Sequence, residues 1–458
     1  MQKDKQGFWD KVFERFGIKN IDEILRPIPE FSFRPDYWLG ALLVVGFVMQ
    51  GITGFLLLLN YVPTTANAYS STFDIINKLP FGSLLLNFHL YDAYAIIFLA
   101  FVHMFRNFWQ GTYKKPREGM WIVGVILGLI TLGFGFTGYL LPWTVLSKSA
   151  TDVGIGLLSY LPSWMTSWLH TLLVGNGTDA EELQRFFDIH VILLPILLVV
   201  FLGLKLFMFE AHGMSKPPKK GAVTEEKNDR SGISWWPRGV EYLLALSLFY
   251  ISVIVIIASV FPIPLGPQYS PQAAAQYTPE PDWYFLWMYQ IIKQSIFGGS
   301  NIVYGIYLIG LLFLILLIVP FIDRSPMRHP SDRPIIFTLG MMVVSTLAFF
   351  TIWAYLTPGL TIPFIQTVEF LLPMYAIEAL VAYFATKSKK TKILGKNVTQ
   401  PNKPNSTVAI IALFLTIAGG ALSISLIFER NVMWGATLLL GFTFMIIEIM
   451  RRSRMEVQ

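Results

Sequence analysis

From 302 to 322 the chain reads IVYGIYLIGLLFLILLIVPFI, without one charged residue. A stretch this long and this apolar has few soluble fates, because about 20 residues of helix suffice to cross the ~30 Å hydrocarbon layer of a bilayer. Comparable runs recur near 39–59, 84–108, 120–140, 186–209, 240–262, 335–356, 366–386, 406–428 and 431–450. They are continuous rather than alternating, which predicts helices and not barrel strands. Of the 458 residues 54% are hydrophobic and 14% charged, more apolar surface than soluble cores could enclose. The expected fold is all-α and transmembrane, with about ten membrane helices.

The charges predict sidedness. With the N-terminus on the cytoplasmic side, only Lys78, Lys148, Arg185, Lys293 and Arg430 of the 35 Lys and Arg fall in outer segments, and Lys205 falls inside a helix. The others lie in 1–38, 106–119, 210–239, 323–334, 387–405 and the C-terminal tail, as the positive-inside rule requires. Both termini are thus expected to be cytoplasmic, in a multi-pass protein of the cell membrane. The net charge of +6 follows this topology, so it does not point to nucleic acid. FWDKVFERFG at 8–17 reads as a surface amphipathic helix rather than a signal peptide. The chain has no cysteine, so it supplies no disulfide, no iron–sulfur ligand and no thioether attachment for haem.

His89 and His103 stand fourteen residues apart in the second run. That spacing returns to nearly one helix face after a rise of ~21 Å. A lone membrane histidine is more often a helix-packing hydrogen bonder, but two on one face, one near each side of the bilayer, suit axial ligation of two stacked haems. His190, in RFFDIHVILLP, is the natural partner of His89. The partner of His103 should lie fourteen or fifteen residues beyond His190, at Leu204 or Lys205, and neither is histidine. Glycines repeat the interval, Gly40 with Gly54 and Gly124 with Gly138. Glycine costs a helix interior about 1 kcal/mol relative to alanine. Close helix packing is one reason for it, and room for two porphyrins explains the matched spacing better.

With these residues in place the sequence resembles the cytochrome b family, and most closely its bf-type branch. The resemblance is carried by HMFRNFWQGTYKKPREGMWIVGVILGLITLGFGFTGYLLPW at 103–143 and by PDWYF at 281–285, which is similar to a PEWY-type motif. It covers roughly 22–386 and implies a four-helix haem-binding bundle followed by further membrane helices. The domains expected are a cytoplasmic segment at 1–38, a haem-binding domain at 39–212, a linker at 213–235, a quinol-site domain at 236–386, a second linker at 387–405 and two extra helices with a basic tail at 406–458. The 213–232 stretch resembles the point at which bf-type complexes split this territory between two polypeptides.

The resemblance implies a quinol oxidoreductase subunit that bifurcates electrons at an outer quinol site. One electron would go to a Rieske iron–sulfur protein and a c-type cytochrome or other acceptor. The other would cross through two haems, b-type or A-type, to an inner quinone site, with proton translocation. It also implies a homodimeric complex embedded in lipid. Asp282 supplies the carboxylate a quinol-oxidising pocket needs, Tyr284 and Tyr139 are candidate lining residues, and Pro142 and Trp143 would shape its wall. Asp in place of the commoner Glu is similar to family members that use menaquinone, so menaquinol is the favoured substrate. Glu210, with His212, Arg238 and Glu241 nearby, is the candidate at the inner quinone site, and Arg106 is a candidate cofactor-binding residue.

The pattern breaks in places. Lys205 stands where the family has the second ligand of the inner haem. It could ligate iron as a neutral amine, leave a five-coordinate haem on His103 alone, or mark the loss of that haem. Trp38 occupies the position of the cysteine that holds an extra haem in bf-type proteins. HLYDAY at 89–94 lacks the arginine expected beside the outer haem and leaves Asp92 there. Glu378 and Glu448 lie within apolar runs, where a helix–helix hydrogen bond and a proton path are equally open readings. Two readings of other classes remain, a dihaem membrane anchor of a dehydrogenase and a proton or ion transporter.

Overall fold

The computed structural model describes residues 25–223, 232–278 and 280–387. Eight helices among them are long and apolar enough to span a membrane. They are α1 Leu39–Leu58, α2 Gly82–Trp109, α3 Glu118–Leu140, α4 Leu194–His212, α5 Val240–Val260, α6 Ile302–Ile322, α7 Pro334–Leu356 and α8 Phe364–Lys387. Each coincides with an apolar run, because backbone polar groups in hydrocarbon must be satisfied within the helix. The described residues form helices, turns and isolated bridges, with no extended strand. The expected helices at 406–428 and 431–450, the surface helix at 8–17, Glu448, residues 224–231 of the first linker and 388–405 of the second lie outside the described residues. Large apolar side chains face outward on the spans, Phe55 61%, Val199 69% and Phe249 71% exposed, which suits lipid rather than water.

The described chain divides into two compact units. The first runs to Thr151 and adds Ser167–Ala275 and Leu316–Arg328; the second comprises Asp152–Thr166, Gln276–Ile315 and the chain from His329. In the first, α1 lies along α2, α3 along α4, and α5 against α2. Phe88, Tyr250, Ile254 and Ala258 close the α2–α5 seam, and Ile130, Ile189, Leu194 and Leu198 the α3–α4 seam. In the second, α7 packs against α8 and the short helix Leu286–Ile292 around Trp287, Ile291, Phe349, Phe350, Trp353 and Ile362.

Helix α4 does not start cleanly. Asp179–Asp188 runs into one π turn, Ile189–Leu193, in which the Leu194 N–H donates to the Ile189 carbonyl five residues back. Pro195 follows at the second position of α4 and has no N–H to give the preceding turn. A π turn inserts one residue without lengthening the helix by a full step.

Candidate functional site

The helix pairs α1–α2 and α3–α4 repeat one arrangement. On α2, His89 faces Gly54, where an added Cβ would stand 3.2 Å from the ring Cε1. His190, in the π turn before α4, faces Gly138 of α3, where a Cβ would stand 2.6 Å from Cε1. A second tier lies about 21 Å further along the helices. There His103 faces Gly40 at 3.4 Å and the Lys205 amine faces Gly124 at 2.9 Å, measured the same way. His89 lies within electrostatic reach of His190, and His103 within that of Lys205. The structure thus brings the eight sequence-predicted residues together as two tiers, each with two nitrogen donors and two glycines.

In the first tier, Thr53 Oγ1 lies 2.9 Å from His89 Nδ1 and Thr137 Oγ1 lies 3.1 Å from His190 Nδ1. Each hydroxyl also donates to its own helix, to Met49 O and Gly133 O at 2.7 and 2.8 Å. A hydroxyl whose proton is used in this way accepts from Nδ1–H, which leaves Nε2 as the nitrogen for iron. In the second tier, Asn107 Nδ2 lies 3.1 Å from His103 Nε2, and His103 Nδ1 is buried with no partner among the described residues. The donor set of both tiers fits haem iron: each sets two nitrogens against glycines whose missing side chains leave room for the imidazole ring or the amine.

The ends of the helices carry the remaining candidates. Arg106 pairs with Asp36 at 3.3 Å and stacks over the Tyr37 ring at 4.0 Å. Glu210, half-buried at the end of α4, faces Arg26 at 4.0 Å, while Arg117 donates to the carbonyls of His212 and Gly213. Trp38 is buried, donates from Nε1 to Ser32 O at 2.9 Å and packs against Trp235 and Tyr242. The position resembling that of the bf-type cysteine is therefore filled by aromatic rings. Asp92 is fully buried, accepting from Gln50 Nε2 at 3.0 Å and Tyr250 OH at 2.5 Å, and Gln50 also donates to the His89 carbonyl at 2.7 Å.

Tyr139 stands next to last in α3, and the LPWT corner after it is fastened to 267–269. Val145 N–H donates to Pro267 O at 2.9 Å, Tyr269 N–H donates to Trp143 O at 3.1 Å, and Trp143 takes a left-handed φ of 54°. In the second unit, Asp282 accepts from the Trp283 N–H at 2.8 Å and starts the short turn Trp283–Phe285, with Tyr284 buried. Two residues earlier stands Glu280, one of whose carboxylate oxygens is buried without a partner. Burial pushes its carboxyl above the ordinary range, opposed by the charge of Lys293, whose own amine burial pushes down.

Sequence reasoning missed Thr53, Thr137, Gln50, Tyr250 and Glu280. The threonines precede Gly54 and Gly138 directly, a repeated Thr-Gly step that could have been found. Tyr250 approaches Asp92 across 158 positions, and nothing local announces it.

Comparison with known proteins places these features in context. Residues 94–268 match the family model described as cytochrome b (N-terminal)/b6/petB, and 272–376 match cytochrome b (C-terminal)/b6/petD. The chain is 33% identical to cytochrome b of Sulfolobus acidocaldarius over 450 residues, covering 92% of this chain and 78% of that one. It is 38% identical over 220 residues to the menaquinol:cytochrome c reductase cytochrome b subunit of Geobacillus thermodenitrificans, covering 46% and 97%. Among solved structures it is similar to a chain of a hyperthermophilic respiratory complex III, with a TM-score of 0.63, 26% identity and coverage of 83% and 96%.

Proposed function

The chain belongs to the cytochrome b family of bc-type respiratory complexes, and from that premise we propose that it is the membrane subunit at which menaquinol oxidation is bifurcated. Menaquinol oxidation releases two electrons and two protons. One electron leaves to a Rieske iron–sulfur partner and onward to a c-type cytochrome or similar acceptor. The other crosses the membrane to a quinone on the opposite side, so that protons are released on one side and taken up on the other. Two haems, when bound at the two tiers, supply one-electron carriers for that crossing. The complex is a homodimer with its chain termini on the cytoplasmic side. Membership of the family leaves the transporter and dehydrogenase-anchor readings without support.

The observation that carries this reading is the pair of tiers, nitrogen donors seated against glycines at two depths of one helix assembly. The roles of the chain's own residues follow from their chemistry. His89 and His190 hold the first haem, oriented through Nδ1 by Thr53 and Thr137. Asp282 accepts a proton from the quinol, its carboxylate oriented by the Trp283 N–H. Tyr284, on the same turn as Asp282, positions the quinol ring, and Glu210 delivers a proton to the quinone on the other side.

The test uses the purified complex. Asp282→Asn is expected to keep the haem content and lower menaquinol-dependent reduction of the acceptor about 100-fold, the lower end of what a positioned general base contributes. Unchanged turnover would remove Asp282 from the reaction, and a complex that purifies without haem would overturn the reading itself.

A further inference from the structure

We propose that the amine of Lys205 is the second axial ligand of the inner haem, opposite His103. The proposal rests on the two-haem reading above and sharpens it at the one position where the ligand set departs from histidine.

Three observations converge. The first is register. His89 and His103 are fourteen residues apart, while His190 and Lys205 are fifteen. On a regular helix a fifteenth residue turns the side chain about 100° away from the fourteenth. The π turn Ile189–Leu193 absorbs that extra residue immediately after the first-tier ligand. Lys205 therefore stands on α4 where a fourteen-residue interval would place it, and Leu204 instead points outward, 40% exposed.

The second is the seat. Each first-tier histidine lies against a glycine of the neighbouring helix, and so does His103. The Lys205 nitrogen occupies the fourth such seat, against Gly124. The amine is thus seated on the neighbouring helix in the same way as the three imidazoles.

The third is the bonding of the amine. Lys205 Nζ donates to the Met120 carbonyl, four residues before Gly124. Among the described residues no carboxylate stands within ion-pair distance of it. The amine is thus engaged by one backbone carbonyl and, among the described residues, by no acid. Opposite it, His103 Nδ1 is buried without a partner and Nε2 lies 3.1 Å from Asn107 Nδ2, a contact that iron ligation through Nε2 would replace.

The test is ligand spectroscopy on the purified, haem-loaded complex, independent of turnover. Wild type should contain two haems per chain by pyridine haemochrome and show two low-spin ferric signals by electron paramagnetic resonance. Near-infrared magnetic circular dichroism should separate them into one bis-imidazole band and one imidazole–amine band, a readout that needs no variant. Lys205→Ala should abolish or render high-spin the imidazole–amine signal alone. Lys205→His should replace it with a second bis-imidazole band. Two bis-imidazole bands in wild type would overturn the proposal, as would an inner haem already high-spin or signals unmoved by both substitutions. A single haem carrying the bis-imidazole signature overturns the Lys205 assignment while leaving the outer site standing, whereas absence of any haem defeats the two-haem reading with it.

Discussion

The side chains that decide the site are those asked to be polar inside a membrane. Thr53 and Thr137 each spend their proton on their own helix and turn a lone pair toward an imidazole, which selects the tautomer. Asp92 is fully buried and accepts from Gln50 and Tyr250. Tyr250→Phe keeps the ring in its seam against Phe88 and Ile254 but leaves one oxygen of Asp92 unsatisfied. An orphaned buried polar group costs about 1–3 kcal/mol, more if charged. The variant should therefore unfold at lower temperature in a thermal scan of the detergent-solubilised complex. A midpoint equal to wild type would mean that the Tyr250 hydroxyl contributes nothing to holding Asp92.

At the scale of helices, the fold makes room by omission. α1 and α3 carry glycine where α2 and α4 carry a ligand, so the gap between helices is set by backbone rather than by side chains. Gly138 is the tightest seat, with only 2.6 Å between an added Cβ and His190. Gly138→Val should therefore displace that imidazole, lower the haem-to-protein ratio from two to one and spare the second tier, about 21 Å away. Pyridine haemochrome together with redox difference spectra reads this directly, and retention of both haems would show that the seat is not a steric requirement. The π turn before α4 belongs to the same scale: Pro195 withholds an N–H, the ladder widens, and the interval on α4 becomes fifteen instead of fourteen.

Across the whole molecule, cohesion of the first unit depends on a buried ionic knot far from the tiers in sequence. Lys114, after α2, donates to Asp323 Oδ1 at 2.8 Å and to the carbonyls of Ser325 and Met327, and Tyr113 OH donates to Asp323 Oδ2 at 2.5 Å. The knot ties the α2–α3 connection to the segment that follows α6. Breaking one side of a buried pair strands the other charge, at about 3–5 kcal/mol. Lys114→Met should accordingly lower the thermal midpoint more than Tyr250→Phe does, and limited proteolysis should cut first near 323–328. Equal stability of wild type and variant would show that Asp323 has another partner of the same worth.

The apolar runs alone determined the helices, because in hydrocarbon no other segment structure satisfies its own backbone. The paired intervals of histidine and glycine likewise announced two tiers, since helical rise converts sequence spacing into depth directly. Sequence spacing left the fourth position at Leu204 or Lys205, because a π turn has no composition of its own and shifts the face by one residue. It found Asp92 but not its holders, because Tyr250 comes from a helix 158 positions away. Those choices were made by packing: which helix lies beside which decides what a buried polar atom can reach, and that information is not contained in any local stretch of the chain.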